Sequence, residues 1–112
     1  MAVTNKRFKT GIQLGTGETN IITGASNVVS RVDKLVFTNT NTVAITVTVY
    51  YYASGDAIGN DTMLVKTKAI AAGKSWICIE AENMRLGAGD ILSALSDTAT
   101  SATVSCSGVE IS

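Results

Sequence analysis

The stretch Val43-Ala44-Ile45-Thr46-Val47-Thr48-Val49-Tyr50-Tyr51-Tyr52 decides the fold class. Apolar side chains occupy the odd positions: Val43, Ile45, Val47, Val49 and Tyr51. The even positions carry Ala44, Thr46, Thr48 and Tyr50, with Tyr52 continuing that row. Successive side chains of a strand point to opposite faces, so a period of two marks a strand with one buried face. The other row is uncharged. It holds Thr and Tyr where an isolated soluble strand would carry Lys or Glu. An uncharged face or edge invites a second chain, so Thr46, Thr48, Tyr50 and Tyr52 are candidate contact residues.

The same alternation recurs on both sides of this stretch. Arg7 to Leu14 alternates Phe8, Thr10, Ile12 and Leu14, and residues 1–14 read as an N-terminal arm or an edge strand. Gly15-Thr16-Gly17 interrupts it, and Glu18 to Thr23 forms a short second strand. Asn27 to Thr38 is longer and alternates imperfectly, which predicts a bulge or burial on both sides. Asn39 to Thr42 reads as a turn, because Asn tolerates left-handed dihedrals and bonds its own backbone. A hairpin between Asn27–Thr38 and Val43–Ala53 is therefore expected.

Ser54 to Asp61 is a loop, and Met63 to Ile70 the next strand. Ala72-Gly73 turns the chain into Lys74–Glu80. There Trp76, Cys78 and Glu80 share one face and Ile77 and Ile79 the other. Ala81 to Leu86 is read as a helical turn or a strand, and Gly87 to Asp90 as a tight turn. Ile91–Ser96 and Ala102–Ile111 close the pattern. About eight short strands separated by turns predict an all-β fold. The expected architecture is a single antiparallel β-sandwich domain over residues 1–112, jelly-roll-like or Ig-like.

Composition narrows the function classes. The chain has 112 residues, enough for one sound core. Its net charge is zero and only 16% of residues are charged, below the usual share of about 25%. No global field steers it to nucleic acid or to an acidic membrane. No apolar run reaches the ~18 residues of a membrane span. The segment Met1 to Lys9 has basic residues without an apolar stretch behind them, so it does not read as a secretion signal, and synthesis in a cytoplasm is expected. Cys78 and Cys106 stand apart with no second Cys or His nearby, which is not metal-ligand spacing. Both read as buried free thiols. A disulfide between adjacent strands is the less favoured alternative in a reducing compartment.

Catalytic and cofactor chemistry finds little support. The chain contains no histidine. The commonest general base, zinc ligand and partner of a nucleophilic Ser or Cys is therefore missing. Glu80 and Glu82 are two apart, as a carboxylate pair would be, but read as a solvated strand end. Ala72-Gly73-Lys74-Ser75 resembles the end of a phosphate-binding loop, yet Lys68 stands where that loop needs glycine. Gly15-Thr16-Gly17 starts like a dinucleotide fingerprint, but Asn20 replaces the third glycine. Asp56, Asn60 and Asp61 read as an ordinary acidic loop and not as a cation site. No catalytic residue, cofactor or metal is assigned. The expected class is not an enzyme.

Binding residues are easier to nominate. Lys6, Arg7 and Lys9 form a basic segment suited to an acidic neighbour, although a solvated terminus explains it as well. The tyrosines put at least one ring on the solvent side of the strand. Trp76 is a candidate stacking residue, with a place in the core as the plainer reading.

The last third of the chain resembles small virion proteins of tailed bacteriophages. The resemblance is carried by Ala72-Gly73-Lys74-Ser75, by Leu86-Gly87-Ala88-Gly89-Asp90-Ile91-Leu92-Ser93-Ala94, and by Val104-Ser105-Cys106-Ser107-Gly108-Val109-Glu110-Ile111. Val32 to Tyr52, with Phe37-Thr38-Asn39-Thr40, is similar too, so the likeness spans roughly residues 28 to 112. It is a pattern of strands and turns without catalytic residues. It implies a non-enzymatic structural protein of the virion, made in the bacterial host cytoplasm. The implied role is a decoration or cement protein, or an accessory one, bound to the head or to the neck and tail as a homo-oligomer. Its partners would be other copies of itself and capsid, neck or tail proteins. The alternative is a carbohydrate- or receptor-binding module of the tail that uses Trp76 and the tyrosines as stacking platforms.

Overall fold

A computed structural model of the protein describes residues 2–112, and of Thr10 the backbone only. Among the described residues nine strands follow one another: β1 (Val3–Gln13), β2 (Thr19–Thr23), β3 (Val29–Asn39), β4 (Ile45–Tyr52), β5 (Met63–Ile70), β6 (Ser75–Ile77), β7 (Arg85–Leu86), β8 (Ile91–Ser96) and β9 (Ala102–Ile111). A single 3-10 turn, Ile79–Ala81, lies between β6 and β7. The strands form two antiparallel sheets. The first has the order β1-β9-β3-β6, with β7 also paired to β3, and the second has the order β2-β8-β4-β5.

That order separates the two expected architectures. Apart from the short β7 beside β6, β4 and β5 are the only consecutive strands that share a sheet. The other connections cross between the sheets, which is the winding of a jelly roll. An Ig-type sandwich keeps its first two strands side by side in one sheet; here β1 and β2 lie in different sheets. The fold is an all-β antiparallel sandwich with jelly-roll strand order.

The core lies between the sheets. Val32, Leu35, Phe37 and Val104 of the first sheet face Ile22, Ile45, Val47, Val49 and Leu92 of the second, and all are buried. The odd row of β4 from Ile45 to Val49 is thus the core row. Val43 departs from the expected pattern. It precedes the strand and is 58% exposed.

The expected hairpin does not form. β3 and β4 belong to opposite sheets, so residues 40–44 are a crossover. Asn39, fully buried, is the corner of that crossover. Its side-chain amide donates to Val43 O and to Ile70 O, both at 2.9 Å, and its Oδ1 accepts from Asn41 N–H at 2.8 Å. Its backbone N–H donates to Lys74 O, and its carbonyl accepts from Gly73 N–H. One side chain therefore ties the end of β3 to the start of β4 and the end of β5. An amide with two donors and one acceptor suits that junction, where a hydroxyl would leave a carbonyl unpaired.

The irregularity expected in β3 is a bulge between Val32 and Lys34, opposite Gly108 and Ser107 of β9. β1 is an edge strand and not a free arm. It pairs along β9 from Val3↔Ile111 to Gln13↔Thr103, with register shifts at Arg7/Lys9 and Thr10/Ile12. Residues 74–80 form a shorter strand than expected, because the chain leaves the ladder at Cys78 and enters the 3-10 turn.

Cys78 and Cys106 are buried free thiols. Leu35 lies between them, since it pairs with Cys106 on β9 and its carbonyl accepts from Cys78 N–H. Two strand spacings put their Cα atoms about 9–10 Å apart, beyond the ~7 Å limit for a disulfide. Burial pushes the Cys78 thiol up to about 11 and the Cys106 thiol up to about 12, from the ordinary 9.0. An acid whose folded pKa is raised favours the fold fully below its unfolded pKa, and that contribution is lost as pH rises toward the folded pKa. Stability should therefore fall between about pH 9 and 11. Urea midpoints across that range should fall less steeply for Cys106→Ala than for the native chain.

Candidate interaction surface

The even row of β4 is not an open face. Thr48 is 5% exposed, Tyr50 7% and Tyr52 9%; Thr46 alone is half-buried rather than closed. The expectation of an uncharged contact face at Thr48, Tyr50 and Tyr52 is corrected accordingly. Alternation tells which side chains share a face but not what the same chain lays over it.

Each covered residue has a local task. Opposite Thr48, β5 carries a bulge between Val65 and Lys68, the partners of Val49 and Val47. Thr67 in that bulge has φ +45°, unusual for a β-branched residue. Its N–H has left the ladder, and the Thr48 hydroxyl accepts it at 3.1 Å. Tyr50 is flanked in the sheet by Ser93 and Met63. The hydroxyls of Tyr52 and Ser93 both donate to the same oxygen, Glu18 Oε2, the latter at 2.6 Å. This clip holds the start of β2 against the outer side of its sheet. Burial, and then the Glu18 carboxylate, raise the Tyr52 pKa.

The clip supports a modest stability prediction. Tyr52→Phe removes one donor to a carboxylate whose residue still reaches water, so the cost should be about 1 kcal/mol. Chemical denaturation would measure it, and no change would show that the clip contributes nothing.

Tyr51 points the other way. Its hydroxyl donates to Arg85 O at 2.8 Å, joining β4 of one sheet to β7 of the other. Trp76 is half-buried at the β6 edge. It pairs with Phe37, and their rings stack at 5.4 Å with 19° between planes. The Lys68 ammonium lies 5.8 Å from the Trp76 ring centroid. Phe37 and Lys68 thus engage Trp76 within the chain. Thr46, the remaining member of the row, donates its backbone N–H to Asp97 Oδ1 at 3.0 Å.

No protein-family profile and no curated protein sequence matches the chain. One solved structure, of infectious bursal disease virus Gx strain, superposes on 97% of this chain with a TM-score of 0.47 and 15% identity. This chain spans 30% of that chain's length. The jelly-roll assignment rests on the strand order alone.

The basic residues remain at the surface. Lys6 and Arg7 are exposed on β1, and Lys9 is half-buried on the same strand. Lys6 pairs with Glu110 at 3.6 Å. An exposed pair of this kind is worth little by itself. At the opposite edge of the same sheet, Ile77 and Ile79 are 43% and 67% exposed, a surface that the sequence pattern alone does not reveal. Their alternation with Trp76 and Cys78 was visible, but the 3-10 turn that swings Ile79 outward was not. Glu80 follows on that turn and is exposed, with Glu82 half-buried just beyond. Among the described residues, no three acidic, Cys or His side chains gather as a metal site would need.

Proposed function

We propose that the protein is a non-enzymatic structural component of a tailed-bacteriophage virion. Its role is that of a decoration, cement or accessory protein on the head or on the neck and tail, present as a homo-oligomer. The observation that carries this reading is where the residues of the phage resemblance fall. Gly73, at φ +71°, makes the turn from β5 to β6. Asp90 Oδ2 accepts Gly87 N–H at 2.9 Å and closes the turn before β8. Gly108 sits on β9, where the backbone of β3 comes too close for a side chain. The shared pattern is thus the set of joints that this sandwich needs, which makes a common fold the economical explanation of the likeness. The low charge and the absence of histidine agree with a plate-like building block.

Mass spectrometry of purified virions produced by the phage genome that encodes the chain tests the reading. The expected result is the protein in stoichiometric amount. Its absence from particles that contain all other structural proteins would refute the proposal.

A further inference from the structure

The outer face of the first sheet is basic. Val32 and Leu35 of β3 point into the core, so Arg31 and Lys34 beside them point outward. Residues opposed across a ladder share a face. Lys34 is opposed to Ser107 of β9, and Ser107 to Arg7 of β1. Arg31 is opposed to Val109 on one side and to Arg85 of β7 on the other. Arg7, Lys34 and Arg85 are exposed, and Arg31 is half-buried. Asp33, in the bulge of β3, is the one carboxylate among them and accepts from Arg31 Nε at 3.1 Å. Among the described residues Arg7, Lys34 and Arg85 have no ion-pair partner. Glu80 and Glu82 lie off this face, because the 3-10 turn leaves the ladder, buries Ala81 and packs toward β5. Lys6 and Glu110 pair with each other. Two aliphatic rows flank the cations on the same face. One is Val3–Ile111–Val29 and the other Val36–Ile77, with Val3, Val29 and Ile77 exposed.

We infer that this face docks on a carboxylate-bearing protein surface of the particle. Like charges directly opposite on neighbouring strands destabilise a sheet, and Arg31 and Arg85 are such a pair. Only Ser107 stands between Lys34 and Arg7, two strand spacings or roughly 10 Å apart. Carboxylates of a partner laid across these rows would relieve both repulsions. The aliphatic rows ask for apolar cover in the same contact, and a protein surface supplies both, with Arg enriched in such interfaces. A nucleic-acid backbone would meet the cations but leave the aliphatic rows bare. The described side chains of this face include no aromatic ring on which bases could stack. A second copy meeting it through the same face would set cation against cation. The inference rests on the proposed function and deepens it by naming the attachment face.

Carbodiimide cross-linking of purified virions, read by mass spectrometry, is the first arm of the test. It joins an amine to a carboxylate in direct contact, so Lys34 should be linked to an Asp or Glu of another virion protein. The second arm measures how much of the chain particles carry when grown from variant genomes. Lys34→Glu with Arg85→Glu should lower that amount roughly tenfold or more. Lys66→Glu with Lys74→Glu makes the same change in net charge at exposed positions outside these rows, and should leave the amount unchanged. Circular dichroism confirms that each variant is folded. Arg85→Glu places a carboxylate opposite Arg31, so that variant should melt no lower than the native chain. If the first pair unfolds the chain, Lys34→Gln with Arg85→Gln takes its place. Lys34 linked only to other copies of this chain, or linked to nothing, would overturn the inference. So would a folded Lys34/Arg85 variant that loads normally, or an equal loss in the Lys66/Lys74 variant. Any of these with the native chain present in particles fails the inference alone. Absence of the native chain from particles fails the proposed function and the inference together.

Discussion

Gly108→Ala is expected to unfold the domain or to cost about 3 kcal/mol or more of its stability. A Cβ at this position would lie 1.9 Å from Arg31 O and 2.9 Å from Phe8 Cε2. The first contact is with backbone, and β9 is a central strand held on both sides by β1 and β3. Relief would need the β3–β9 ladder to open beside the Val32/Lys34 bulge. Phe8 would also have to leave the core that it packs against. Gly17→Ala is the control, since nothing lies within 4 Å of its would-be Cβ. It should change stability by no more than ~0.5 kcal/mol. Guanidinium melts of the two variants decide the matter: equal midpoints would mean that β3 and β9 are not so close.

Gly108 also shows how much of the fold was legible in the sequence. A glycine inside a strand pattern signals a bulge or a close approach, and the uneven alternation of Asn27–Thr38 signalled irregularity in what proved to be its partner strand. The two signals meet at one place. Gly24 gave no such warning, although its Cβ would lie 1.9 Å from Gly87 O. It stands in a connection where no alternation surrounds it. Strand identity was readable wherever one face is buried. Sheet membership was not. The Asn39–Thr42 segment has the composition of a hairpin turn, yet hydrogen bonds from Asn39 to Val43 and Ile70 make it a crossover. Those partners become neighbours only once both sheets exist.

The candidate surface was legible to a smaller degree. Lys6 and Arg7 are exposed, because charged heads seek water wherever the strand lies. Tyr50 and Tyr52 were misplaced for a related reason. A Tyr ring accepts burial once its hydroxyl has a partner, and Glu18 supplies one for Tyr52 from a segment far away in sequence. Ile79 was assigned to a strand face and is instead the most exposed large apolar residue among those described. The 3-10 turn that exposes it is too short to leave a periodic trace.

Val47→Asp is the second large effect expected. Val47 is fully buried in the middle of β4, with Ser96 of β8 on one side and Lys68 of β5 on the other. Lys68 is exposed and directs its ammonium toward Trp76, so it offers little to a carboxylate held at the level of the core. An aspartate would lose the apolar contacts of valine and either carry an unpaired charge or stay protonated at neutral pH. Either way the cost is several kcal/mol, comparable to the ~5–15 kcal/mol stability of a whole domain. Thr46→Asp tests the opposite face of the same strand. Thr46 is half-buried, and its N–H already meets Asp97 Oδ1. A second carboxylate there adds repulsion that water partly screens, for a cost of about 1 kcal/mol. The native chain and both variants would be compared by circular dichroism melts. Val47→Asp should lack a cooperative transition, and Thr46→Asp should keep one at a slightly lower temperature. Equal stability of the two variants would mean that the inner and outer rows of β4 are wrongly assigned, and the packing of the second sheet with them.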